Sequence, residues 1–186
     1  MQSTSQLGLL RSIQDDELPL MLSWRNESSV RQNMYTTHEI TMSEHLIWWK
    51  SIKGSDRHRY FMYEYGGVPL GIVGFTSIDF VNQNSSWAFY ASPNAPKGTG
   101  SRMEALALDY AFEELRLYKL YCEVLAFNAP VIKLHKKFGF IIEGVLREQH
   151  KHDGEFTDIY RLGLFSTEWA EARNDMIAKL TRLSKG

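Results

Sequence analysis

Residues 85–102 read Ser85-Ser86-Trp87-Ala88-Phe89-Tyr90-Ala91-Ser92-Pro93-Asn94-Ala95-Pro96-Lys97-Gly98-Thr99-Gly100-Ser101-Arg102. The first seven mix aromatic and small side chains suited to a pleated surface, and Pro93, having no N–H, ends the strand. A turn at Gly98 and Gly100 follows, after which Met103, Leu106, Ala107, Tyr110 and Ala111 recur at helical spacing, giving an amphipathic helix to Leu115. Lys119 to Leu125 is again strand-like, so the helix reads as a crossover within a mixed sheet. Glycines at a strand-to-helix turn let N–H groups converge on an anion, to which a helix N-terminus adds partial positive charge; a pyrophosphate fits there. The third glycine of the Rossmann pattern and the Gly-Lys-Ser/Thr of the Walker pattern are both absent, which leaves an ordinary helix start open on local grounds.

Working outward, Leu20 to Arg31 reads as a helix, and Thr41 with Glu44 makes a box-like start for a second one, His45 to Ile52, ended by Gly54. Tyr60 to Tyr65 and Val68 to Thr76 flank Gly66-Gly67 as a hairpin. Beyond the crossover, Asn128 and Pro130 open a short helix that Gly139 closes. Phe140 to Arg147 and Phe156 to Phe165 form a second hairpin about Asp153-Gly154, and Trp169, Ala172, Met176, Ile177 and Leu180 give a last helix its apolar face. The class is α+β (mixed α/β). No repeat or Pro/Gly/Ser linker divides the chain, which predicts one domain over residues 1–165 plus a C-terminal helix and tail, 166–186, loose from Leu183 onward.

A chain of 186 residues suits that plan, because a domain of this size buries about 70% of its unfolded surface. The lone Cys122 permits no internal disulfide or cysteine cluster, which makes the cytoplasm the default location. No apolar run approaches the roughly 18 residues of a membrane span, and Met1 to Pro19 carries Asp15, Asp16 and Glu17 instead of a leader pattern. A net charge of −1 lacks the basic excess of a nucleic-acid binder. His150 and His152 alternate on a strand without a Glu-flanked helical pair, so no metal is expected. The partner that remains is a small molecule or a limited protein surface.

Two side chains stand out as chemistry. Glu123 lies mid-strand in Lys-Leu-Tyr-Cys-Glu-Val-Leu, where burial would disfavour its charge and suit it to act as a general base; an edge position facing water or a cation is the alternative. In Asn128-Ala-Pro-Val-Ile-Lys-Leu-His-Lys-Lys-Phe-Gly-Phe140, the apolar face is Val131, Leu134 and Phe138, which turns His135 toward a neighbouring cleft unless it is structural.

Together, in this order, these pieces resemble the GNAT superfamily of acetyl-CoA-dependent N-acetyltransferases. Its signature, Gln/Arg-x-x-Gly-x-Gly/Ala, aligns with Lys97-Gly98-Thr99-Gly100-Ser101-Arg102, with Lys at the first position and Arg102 in place of the small final residue. The downstream Asn128 to Gly139-Phe140 segment matches strongly. The resemblance spans about Leu9 to Phe165. It implies a central mixed, mostly antiparallel sheet flanked by helices, with pantetheine entering where the fourth and fifth strands splay. It also implies acetyl-CoA as co-substrate, held by the backbone around Tyr90, Ala91 and Ser92, by Lys97, Gly98, Thr99, Gly100, Ser101 and Arg102 at the diphosphate, and by Asn128. Glu123 would take the amine proton, an N–H near Ala91 would hold the oxyanion, and His135 would replace the family's usual tyrosine as acid to the thiolate.

Outside the cofactor motif, the segments Trp24-Arg25-Asn26, Glu44-His45-Leu46, His58-Arg59-Tyr60-Phe61, Gly67-Val68-Pro69-Leu70-Gly71, Ile78-Asp79-Phe80 and Glu155-Phe156-Thr157-Asp158 resemble the UDP-amino-sugar N-acetyltransferases of pseudaminic acid synthesis. Trp24-Arg25-Asn26 is also similar to ribosomal-protein N-terminal acetyltransferases. The first likeness implies a UDP-4-amino-4,6-dideoxy sugar as acceptor, with Arg25 and His45 at its diphosphate and Trp48, Thr76 and Tyr90 lining the site; a homodimer is allowed. Arg25 pairing with Glu27 at the surface, and His45 merely decorating its helix, are the plain alternatives. Loss of the tyrosine also leaves a silent acetyl-CoA-binding module as a reading.

Overall fold

The computed structural model describes residues 4–183. Of the loose tail anticipated from Leu183 onward, Leu183 is the last residue of a helix and 184–186 lie outside the described residues. Seven strands pair in one sheet: β1 (Leu9–Ser12), β2 (Arg59–Tyr65), β3 (Val68–Asp79), β4 (Asn84–Ala91), β5 (Lys119–Leu125), β6 (Ile141–His152) and β7 (Glu155–Phe165). Their order is β1-β2-β3-β4-β5-β7-β6. Every neighbouring pair is antiparallel except β4 and β5. The turn between β2 and β3 has Gly66 at φ 60° and Gly67 at φ 78°, the left-handed pair that a tight hairpin needs.

The helices are α1 (Leu18–Asn26), α2 (Ser28–Arg31), α3 (Met42–Ile52), α4 (Thr99–Asp109), α5 (Ala129–Lys137) and α6 (Ser166–Leu183). Side chains alternate across a strand, so adjacent residues supply the cores on the two faces of the sheet. Tyr63 and Val73 join the larger core with Met103 and Leu108 of α4 and Trp169 and Ile177 of α6. Met62 and Ile72 join a smaller one with Met21 and Trp24 of α1. The reciprocal box at the start of α3 is present, Thr41 Oγ1 accepting from the Glu44 N–H and Glu44 from that of Thr41.

Four expectations need correction. The helix anticipated from Leu20 to Arg31 is two helices, because Glu27 takes an extended ψ of 135°. The helix anticipated to reach Leu115 widens at its end, with the Leu115 N–H reaching back five residues to Tyr110 O at 3.0 Å. Strand β6 continues past Arg147 to His152 by absorbing irregularities after Ile142 and Leu146. Strand β1, before the first anticipated helix and not itself anticipated, is only four residues long and exists because it pairs with β2, Leu9 opposite Glu64. Among the described residues no helix is long and apolar enough to cross a membrane.

Candidate active site

The parallel strands β4 and β5 stay together only over Asn84–Lys119, Ser85–Leu120 and Ser86–Tyr121, then separate. The separation opens a cavity of about 230 Å³ between the free halves of the two strands. Strand phase decides which backbone groups face it. The Ser92 N–H bonds to Leu70 O of β3 at 2.8 Å, and Tyr90 shares that phase opposite Ile72. Phe89 and Ala91 are therefore turned the other way, with N–H and C=O directed into the gap where β5 has left. This corrects the expectation for the backbones of Tyr90 and Ser92, which face β3, and leaves Ala91 as the donor best aimed into the gap.

Beyond the strand, Gly98 at φ 90° caps α4 in a left-handed conformation. Within the first turn, the Thr99 N–H bonds to Pro96 O and the Arg102 N–H to Gly98 O. The N–H groups of Gly98, Gly100 and Ser101 make no such bond among the described residues and remain free for an anion. The Arg102 guanidinium lies 4.4 Å over the Tyr65 ring, stacked on β2, and its Nη1 is buried and unpartnered. Lys97 is exposed in the loop. Asn128 begins α5 with no capping bond from its side chain and borders the gap.

Glu123 borders the same gap, but its side chain is 29% exposed, accepting from Tyr35 Oη at 2.8 Å and Arg161 Nη1 at 3.2 Å. The burial anticipated from its apolar strand is absent, because Glu123 shares the less covered face of β5 with Lys119 and Tyr121. Tyr35 is pushed above the ordinary tyrosine range by burial first and by the Glu123 hydrogen bond second. His135 reaches the gap as its helix face predicts, yet is only 3% exposed. Its Nδ1 lies 2.8 Å from Glu104 Oε1, with the rings of Trp87, Phe89 and Phe140 around it.

A second cavity, of about 400 Å³, adjoins the first through Met34, Ala88 and Tyr90. All five acceptor-side candidates line it: Arg25, His45, Trp48, Thr76 and Tyr90. Trp48 stacks on His45 with centroids 5.3 Å apart and meets the Tyr60 ring edge-on at 5.1 Å. Arg25 donates through Nη2 to Thr36 O at 3.2 Å, while Nη1 is buried without a partner. Burial pulls Arg25 below its ordinary value, and no carboxylate pairs with it among the described residues. The pairing with Glu27 considered from sequence is not made. His45 is buried as well, pulled toward its neutral form by desolvation, with Nε2 unpartnered.

Glu104, Tyr35, Tyr60 and Arg161 were not singled out from sequence. Glu104 had a readable signal, an acidic residue on the face of α4 that also carries Ala107, Leu108 and Ala111. Tyr35 had none, since it meets Glu123 from 88 positions away.

Residues 9–141 match the model of the acetyltransferase (GNAT) domain. The chain belongs to the GNAT family. Spermidine N(1)-acetyltransferase of Escherichia coli K12 is 28% identical over 162 residues, 86% of this chain and 87% of that protein. Acetyltransferase PseH of Campylobacter jejuni is 28% identical over 130 residues, 70% of this chain and 80% of its own. A structure of spermidine N-acetyltransferase from Vibrio cholerae in complex with CoA and spermine has the same fold, with a TM-score of 0.83 at 22% identity over 89% of this chain and 99% of that one. This GNAT protein is an acyltransferase with acetyl-CoA as co-substrate. Among its described residues no group of three or more His, Cys, Asp or Glu could hold a metal ion.

Proposed function

We propose that this GNAT enzyme acetylates the amino group of a nucleotide-linked amino sugar, the 4-amino group of a UDP-4-amino-4,6-dideoxy sugar being the acceptor its sequence segments resemble. The observation that carries the reading is the pair of buried, unpartnered nitrogens, Arg25 Nη1 and His45 Nε2, on a cavity walled by Trp48, Tyr60 and Tyr90. A buried arginine donor left unpaired is costly unless a ligand pairs it, and a diphosphate supplies that pairing to the Arg25 fork, while His45 meets it as a donor once protonated. The aromatic walls suit a uracil ring or a sugar face. A polyamine needs carboxylates instead. Among the described residues Glu44 alone supplies one at this cavity, and it is engaged by Thr41 and His38.

In this reading Glu123 accepts the proton that the acceptor amine loses, directly or through water. The Ala91 N–H, at the free edge of β4, donates to the oxygen on which negative charge develops during attack. His135 delivers a proton to the departing sulfur. Acetyl-CoA supplies the thioester, its diphosphate on the free N–H groups of Gly98, Gly100 and Ser101.

The test is release of CoA thiol from acetyl-CoA by purified protein with three acceptors in parallel: the UDP-4-amino sugar, spermidine, and peptides with free N-termini. Turnover with the sugar and not with the others is the expected result. Turnover with spermidine or peptides in its place overturns the acceptor assignment, and CoA binding without transfer to any of the three favours a binding module.

A further inference from the structure

Glu104 is a charged-type residue with 0% exposure, on the helix that begins at the diphosphate loop, and nothing in the proposed chemistry yet uses it. Its Oε1 meets His135 Nδ1 at 2.8 Å, and its Oε2 is buried with no partner. Among the described residues the one hydrogen bond to this carboxyl group therefore comes from the imidazole. Lone buried carboxylates are costly and a hydrogen-bonded partner is the remedy proteins use. The other ionisable groups near the pair are Cys122 of β5 and Lys137 of α5. Burial pushes the Glu104 carboxyl upward, and the His135 contact opposes that push.

We propose that Glu104 is a positioning residue that fixes the ring of His135 through Nδ1, so that Nε2 carries the proton presented to the thioester sulfur. The proposal rests on the reading of His135 as the acid to the leaving thiolate, and is independent of which amine is acetylated. One proton lies on the line between Nδ1 and Oε1, a second sits on Nε2, and the pair is neutral overall. As the carbon–sulfur bond breaks, its electron pair stays on sulfur, which takes the Nε2 proton. The pair is then left with its shared proton and one negative charge, and a solvent proton, replacing the one the amine gives up to Glu123, restores it. Trp87, Phe89 and Phe140 close the remaining sides, so the ring cannot turn to present the other nitrogen without breaking the Glu104 contact.

The experiment is proton NMR of the full-length protein without ligands, combined with steady-state kinetics of Glu104→Gln. The shared proton is expected as a far-downfield ring N–H resonance that disappears in Glu104→Gln and in His135→Gln. Glu104→Gln is expected to lower kcat about 10- to 100-fold, as supporting partners of functional histidines do, while KM for acetyl-CoA stays within about twofold. In a His135→Phe background the same change is expected to have no further effect on kcat. A downfield proton that persists in Glu104→Gln, an unchanged kcat, or a KM rise in place of the kcat loss overturns the proposal. Should Glu104→Gln not fold, the absence of the downfield proton from the wild-type spectrum overturns it by itself. The spectrum needs no acceptor, so a failed acceptor assignment leaves this outcome unaffected.

Discussion

The two cavities that meet at Tyr90 differ in how their polar groups are treated. In the gap between β4 and β5 the side chains assigned to proton transfer already have partners: Glu123 with Tyr35 and Arg161, His135 with Glu104. In the neighbouring cavity Arg25 Nη1 and His45 Nε2 are buried with none. Partnered groups hold their geometry whether or not a ligand is present, which is what repeated proton transfer requires. Unpartnered buried groups are satisfied only by the right ligand, and that is how a site rejects an analogue lacking the matching atoms. In the proposed reading the gap carries the proton transfers and the second cavity carries the choice of acceptor.

Removing the proposed base should have the largest effect. Glu123→Gln keeps the shape and is expected to lower kcat/KM about 100-fold or more. An unchanged kcat/KM would move the base elsewhere. Arg25→Ala is expected next, raising KM for the nucleotide sugar about 10- to 100-fold, the usual worth of a hydrogen bond to a charged group, with KM for acetyl-CoA unchanged. Equal rises for both substrates would erase the distinction between the cavities.

Gly74→Ala probes the second cavity's wall. A Cβ at Gly74 would come 2.4 Å from Tyr60 Cε1, forcing that ring off Trp48. An acceptor KM raised about fivefold without loss of CoA binding is the expected outcome, about 1 kcal/mol of lost packing; a uniform loss of activity would place Tyr60 in general stability.

The smallest effect concerns His45. Burial holds its imidazole below the ordinary histidine value, so the free protein keeps it neutral near pH 7 and gains protons there only when an anion arrives. Binding of UDP-N-acetylglucosamine, whose diphosphate does not titrate in this range, should tighten about two- to fivefold from pH 7.5 to 6.0, within the tenfold per unit that one proton allows. His45→Gln should flatten that dependence, and an equal slope in the variant would remove His45 from the diphosphate. The same shift works against stability in acid. A histidine depressed in the folded state contributes stability above its unfolded value and loses it as pH falls through that value, so the free protein should melt earlier below about pH 6.5.

Much of this was legible along the chain because it is local. The strand, glycine turn and helix at residues 85–102, the Thr41–Glu44 box and the Gly66-Gly67 hairpin each depend on neighbours within a few positions, and each has the form the sequence anticipates. Arg25, His45, Trp48, Thr76 and Tyr90 were also named from sequence, and they line one cavity. What sequence could not supply was long-range pairing. Strand β1 exists only through β2, the exposure of Glu123 follows from which face of β5 it occupies, and its partner Tyr35 arrives out of a distant loop.

The sequence by itself determined the order of elements from α3 onward, the glycine turn before α4 and the residue types proposed for the reacting centre, because backbone preference and side-chain period act over one or two turns of chain. Only the tertiary structure decided which of those residues are satisfied. Glu104 is bonded to His135 while Arg25 Nη1 is left unpaired, and that difference arises from packing between helices and a splayed sheet whose members lie tens of residues apart.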